Sequence, residues 1–158
     1  MRRLRPGLVA AIAGGVLTLG GCGAASSSSP LSIDQLPLVG GASVVTQARQ
    51  CDRGANAYCA IEAVIVDRHA SSSGALVASE RRQLRKLGWS GSAGDNGVER
   101  AAQSPDHRLR VTYATGAGDL TGWDLGWIKR PRSIALTLSR LMFSGTPAMS
   151  VLLEAGAG

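Results

Sequence analysis

The stretch that most constrains the fold is 58–67, where Ile61, Val64, Ile65 and Val66 leave little room for water on either side of an extended chain. Ile61, Ala63 and Ile65 alternate with Glu62, Val64 and Val66, so one face reads as fully apolar and the other as mixed. A strand of this kind belongs inside a sheet, and the rest of the chain must supply its neighbours. Residues 43–50, β-branched at their start, form the first neighbour. The intervening loop carries Gly54 and Asn56, which suits a hairpin connection.

Further along, Ser71, Ser72, Ser73 and Gly74 provide turn chemistry and an N-cap ahead of a helix over 75–87. Leu76, Val77, Leu84 and Leu87 fall within about 100° on that helix, with Arg81, Arg82, Arg85 and Lys86 outside the arc. Gly88 follows in the place of a left-handed C-terminal residue, with Trp89 positioned to fold back. Residues 90–104 are rich in Gly, Ser, Asp and Asn and hold at most a short strand, near Trp89 or over 98–102. Leu109, Val111 and Tyr113 alternate with Arg110 and Thr112, as in a half-buried strand.

After Pro131, Ile134, Leu138, Leu141 and Met142 mark one face of a second helix. Leu136 and Phe143 lie on its far side, so the pattern predicts a helix buried on more than one side. Residues 148–154 form the last strand. The order is strand, strand, helix, strand, strand, helix, strand, which predicts an α+β fold. The expected architecture is an antiparallel sheet of four to five strands with two helices on one face, ferredoxin-like βαββαβ plus an N-terminal edge strand.

The N-terminus has a different character. Arg2, Arg3 and Arg5 precede an apolar run over 8–19 that ends in Leu19, Gly20, Gly21 and Cys22. As a helix that run covers roughly 18 Å, too short to span a hydrocarbon core of about 30 Å. Basic, then apolar, then small is the order of an export signal. The Leu-Gly-Gly-Cys ending resembles the lipobox of bacterial lipoproteins, and Leu-Arg-Lys-Leu-Gly-Trp with Gly-Asp-Leu-Thr-Gly-Trp-Asp-Leu-Gly-Trp-Ile resembles small uncharacterised lipoproteins of high-GC Gram-positive bacteria. The first resemblance implies that 1–21 is a signal peptide, that Cys22 is the acylated mature N-terminus, and that the protein sits lipid-anchored on the extracytoplasmic face of the cell membrane. On that reading 22–42, with its Ser26–Ser29 run, is a flexible tether and 43–158 a single small domain; within the tether 31–39 is apolar but interrupted by Pro37, and either lies on the domain or floats.

With Cys22 taken by lipid, Cys51 and Cys59 remain as an even pair in an oxidising compartment, and a disulfide is expected to clasp the hairpin. A metal site would need closer cysteines than seven intervening residues allow, so no metal is expected. Beyond residue 21 the chain carries 14 basic against 11 acidic side chains, a net charge of +3. That is no nucleic-acid footprint. Gly116, Gly118 and Gly122 are spaced one residue too widely for a dinucleotide fingerprint and read as a turn, so no cofactor is expected.

For function, Trp123 and Trp127, followed by Lys129, Arg130 and Arg132, are the candidate binding segment for an envelope protein or a wall polymer. No catalytic residue is assigned. The alternatives are a hydrolase or enzyme accessory using His107 or the Asp119 and Asp124 pair, and a membrane-surface helper using the basic flank Arg81, Arg82 and Arg85.

Overall fold

A computed structural model of the protein describes residues 30–54, 57–91, 99–120 and 131–156. They form one six-stranded antiparallel sheet. Strands β1 (Ser43–Cys51) and β2 (Cys59–Val66) are a hairpin, followed by helix α1 (Ser73–Lys86). Next come β3 (Ser90–Gly91), β4 (Glu99–Gln103) and β5 (Leu109–Thr115), then α2 (Gly116–Leu120), α3 (Arg132–Phe143) and β6 (Ala148–Ala155). The spatial order is β1-β2-β6-β5-β4-β3.

The expected α+β class and antiparallel sheet are present, but the ferredoxin-like arrangement is not. Three strands separate β2 from β3, where a split βαβ unit would place one. Strand β6 lies between β2 and β5, and its start pairs with the end of β5, Met149 opposite Thr115. The chain through α2 and α3 therefore leaves and re-enters the sheet at one end.

The two long helices also do not share a face. Ile61, Ala63 and Ile65 of β2 pack with Leu76, Val77 and Leu84 of α1, together with Val111, Tyr113, Met149, Val151 and Leu153. Val64, one residue out of phase, packs with Ile134 and Leu138 of α3. The cause is in β2 and β6, each buried along nearly its whole length. Two helices on one side would leave Val64 and Leu152 in water, at roughly 1.5–3 kcal/mol for each large side chain.

Local signals behave as their chemistry dictates. Ser72 caps α1, its hydroxyl accepting from the Ala75 N–H at 3.1 Å. At the other end Gly88 (φ +82°) donates to Arg85 and Trp89 to Leu84, the paired bonds of a Schellman motif. Gly145 (φ +67°) and Thr146 close α3 in the same way, onto Met142 and Leu141. Leu87, counted in the apolar stripe, is 45% exposed because it is the C-cap. Both sites considered for the uncertain third strand are occupied, as β3 and β4.

Residues 30–42, assigned to the tether by composition, are a packed strap. A single 3-10 turn at Ile33–Gln35 is held by a capping box, Ser32 and Gln35 each bonding the other's backbone. Leu31, Ile33 and Leu36 enter the α1-side core. The Pro37 that disfavours a helix or strand here does not prevent burial, because the strap needs neither. Its far end is pinned by Glu80 of α1, whose Oε2 accepts the Val39 N–H at 2.9 Å.

Glu80 is fully buried and its Oε1 has no hydrogen-bond partner. Burial pushes its carboxyl up to about 7, with the Val39 bond opposing. A folded value above the unfolded one means that the fold prefers the proton. The stability contributed is whole below the unfolded value near 4.5 and is lost as pH rises to about 7. Urea denaturation should show stability falling across that window, and Glu80→Gln should flatten the fall and raise stability at pH 8 by up to about 3 kcal/mol.

Candidate functional site

The sheet face under α3 carries the densest group of buried polar side chains. Opposite one another in register stand Ala60, Glu154 and Arg110, and two residues along stand Glu62, Leu152 and Thr112. Glu62 is 2% and Glu154 3% exposed. Tyr58, at the entry to β2, donates its hydroxyl to Glu154 Oε1 at 2.8 Å, and Arg110 Nη1 donates to Oε2 at 3.2 Å. Tyr58 packs on Ala60 and Leu152 beside them. Burial and the neighbouring carboxylate together raise the Tyr58 hydroxyl well above its ordinary range, so it stays a neutral donor.

This arrangement ties rather than reacts. Both oxygens of Glu154 are engaged, so the carboxylate is not offered to a substrate as a base, and the Arg110 head is the half-exposed rim of the group. The Ser150 hydroxyl, on the same face opposite Val64 and Ala114, is buried without a hydrogen bond.

The cysteines sit where the hairpin reading put them. Cys51 and Cys59 are directly opposite in the β1–β2 register and disulfide-bonded, with Cα atoms 4.0 Å apart. Arg49 Nε lies 3.3 Å from Cys51 Sγ. Beside them, the strap and β1 border an open groove of about 520 Å³ lined by Leu31, Ile33, Gln47, Arg49 and Ile61 among others.

Of the binding segment, Arg132 is the first residue of α3 and exposed. Trp123, Trp127, Lys129 and Arg130 lie outside the described residues, as do Cys22 and Asp124, while Asp119 falls within α2. The third tryptophan, Trp89, is buried in the core at 6% exposure.

The histidines are separated by the length of the sheet. His69 follows the β2 end that pairs with Ala148, and His107 lies in the β4–β5 turn beyond Arg110, at the Glu154 end. Each belongs to a turn. The His69 N–H donates to Asp67 Oδ1 at 2.8 Å, and the ring, 89% exposed, approaches the same oxygen. His107 takes φ +59°, and its carbonyl accepts from Gln103. Beside it the Ser104 hydroxyl donates to Asp106 at 2.6 Å and accepts from the Leu109 N–H. That bond, with the Arg108 N–H, holds Asp106 below the usual carboxylate range. A serine donating to the aspartate is not donating to a histidine, so these three side chains do not make a nucleophile and base pair. Among the described residues, no group of three or more His, Cys, Asp or Glu is placed to hold a metal.

On the basic flank of α1, Arg82, Arg85 and Lys86 are exposed, and Arg82 also donates to the Ser79 hydroxyl. No described helix is long and apolar enough to cross a membrane.

Tyr58, Arg110 and Glu154 are invisible as a group in the sequence, because they meet only through the β5–β6–β2 register. No family model matches the chain, and no curated protein or solved structure is significantly similar to it.

Removing the tyrosine hydroxyl tests the tie. Tyr58→Phe leaves Glu154 Oε1 buried without that donor and should cost about 1–3 kcal/mol in urea denaturation, with the far-ultraviolet circular dichroism unchanged.

Proposed function

We propose that the chain is a lipid-anchored domain of the cell envelope that binds or scaffolds a protein partner or a wall polymer. The observation that carries this reading is the disulfide across the β1–β2 hairpin. Disulfides persist in oxidising compartments, and the basic-apolar-small N-terminus ending in Leu19-Gly20-Gly21-Cys22 addresses such a compartment. The strap agrees in geometry: the chain enters the domain at Pro30, eight positions after Cys22, and is seated by Leu31, Ile33 and Leu36. Extended, that link reaches at most about 28 Å, so an acylated Cys22 holds the domain within a short distance of the bilayer.

Binding is assigned to the segment from Trp123 to Arg132, which pairs stacking surfaces with cations and runs into the exposed start of α3. Recovery from intact envelopes after chemical cross-linking tests this. A stoichiometric partner or wall fragment should be captured by the parent chain and reduced at least about tenfold by Trp127→Ala, an interface anchor loss of the usual size. Capture unaffected by Trp127→Ala, or an enzymatic turnover abolished by His107→Ala, would overturn the reading.

A further inference from the structure

Helix α3 shows water an unusual face. Ile134 and Leu138 are fully buried against Val64, and Leu141 packs beside them. On the opposite side Arg132, Leu136, Arg140 and Phe143 fall within about 80° of one another at 100° per residue. All four are exposed. Leu136 keeps 49% of its surface in water and Phe143 94%, and the neighbouring Met142 keeps 44%. Phe143 is the only phenylalanine in the chain, in a protein with just six aromatic residues, yet it is left out of the core.

Scattered apolar side chains on a surface need no explanation, but Leu136 and Phe143 are aligned with Arg132 and Arg140 along roughly 16 Å of one helix. The sequence around them is free of acids, since residues 125–153 contain four basic side chains and no Asp or Glu, and among the described residues no carboxylate pairs with Arg132 or Arg140. The far-side apolar residues that made the sequence pattern look doubly buried are therefore a surface of their own.

We propose that this outward face of α3 docks on an anionic lipid bilayer, with Phe143 and Leu136 entering the headgroup region and Arg132 and Arg140 meeting lipid phosphates. Apolar and Arg side chains on one exposed face, without acids, are what an interfacial helix presents to such a surface. A second copy of the chain is a poorer occupant, since the same face brought against itself sets arginines near arginines with no carboxylate to answer them. The basic flank of α1 offers no comparable apolar row, because its stripe faces the core. The proposal goes beyond the anchor at Cys22, which holds the domain near a membrane but does not orient it, and the test needs no acyl chain.

Full-length chain carrying Cys22→Ser and Ser144→Cys is labelled at position 144, next to Phe143, with an environment-sensitive fluorophore. It is mixed with phosphatidylcholine vesicles, alone or with one third phosphatidylglycerol. The label reports its own depth even if residues 8–19 also partition into the vesicle. The expected result is a blue shift, with quenching by lipid-borne quenchers, at a partition coefficient roughly tenfold higher on the anionic vesicles. The shift should be lost with Arg132→Glu plus Arg140→Glu, and with Phe143→Ser, whose side chain contributes almost nothing to the core. The same label introduced by Ala78→Cys on the exposed side of α1 should remain water-like. A shift at position 78 but not 144, equal shifts on neutral vesicles, or persistence of the shift in both variants would overturn the proposal. So would a shift that grows with protein concentration without vesicles, which would make the occupant a second copy.

Discussion

The pairing of β2 with β6 is the constraint from which the rest follows. The two strands are in register from Cys59 opposite Ala155 to Val66 opposite Ala148, and neither leaves a face to water. A pair buried on both sides needs cover on both sides, and among the described residues two substantial helices supply it. One therefore goes to each face: α1 with the strap on one, α3 on the other. Each helix spends its single apolar stripe on the sheet. Its outer surface is left to whatever the solvent side holds, which for α3 is Leu136 and Phe143.

Much of this was legible from residue order. The alternation of Leu109, Val111 and Tyr113, the apolar density of 58–67 and 148–154, and the Leu87-Gly88-Trp89 ending of α1 are local patterns set by local physics. What was not legible depends on which distant segments meet. The face chosen by α3 is decided by Val64 being one residue out of phase with Ile61 and Ile65, and either choice of helix layer is compatible with the α3 pattern alone. The sequence leaves the strap undecided between packing and floating, because burial of Leu31, Ile33 and Leu36 needs no periodic element and Pro37 and the preceding serines resemble linker. Leu136 and Phe143 make the α3 pattern look doubly buried, because apolar character in sequence does not distinguish a covered face from an open one. Among the described residues no layer covers them.

Two buried carboxylates show the same limit in finer detail. Glu80 lies at the centre of the arc formed by Leu76, Val77 and Leu84, a position at odds with an apolar stripe and hence a signal that was present in the sequence. Its explanation, the Val39 N–H delivered by the strap, was not. Glu154 gives no such signal; its partners Tyr58 and Arg110 come from the entry to β2 and from β5, and the group exists only once the register does. In both cases the carboxyl group joins elements far apart in sequence, so that a buried polar group, costly by itself, is coupled to the correct assembly of strap, helix and sheet.

On the proposed reading these features share one location. A disulfide at the hairpin end, a strap seated close behind the expected point of attachment, and a cationic and apolar helix face all suit a domain working within reach of a membrane's outer surface. That location rests on Cys22. Mass spectrometry of the mature protein from its native envelope is the most direct test: the account predicts an N-terminal peptide that begins at Cys22 and carries diacylglycerol on the thiol. A terminus elsewhere, or an unacylated Cys22, would contradict it.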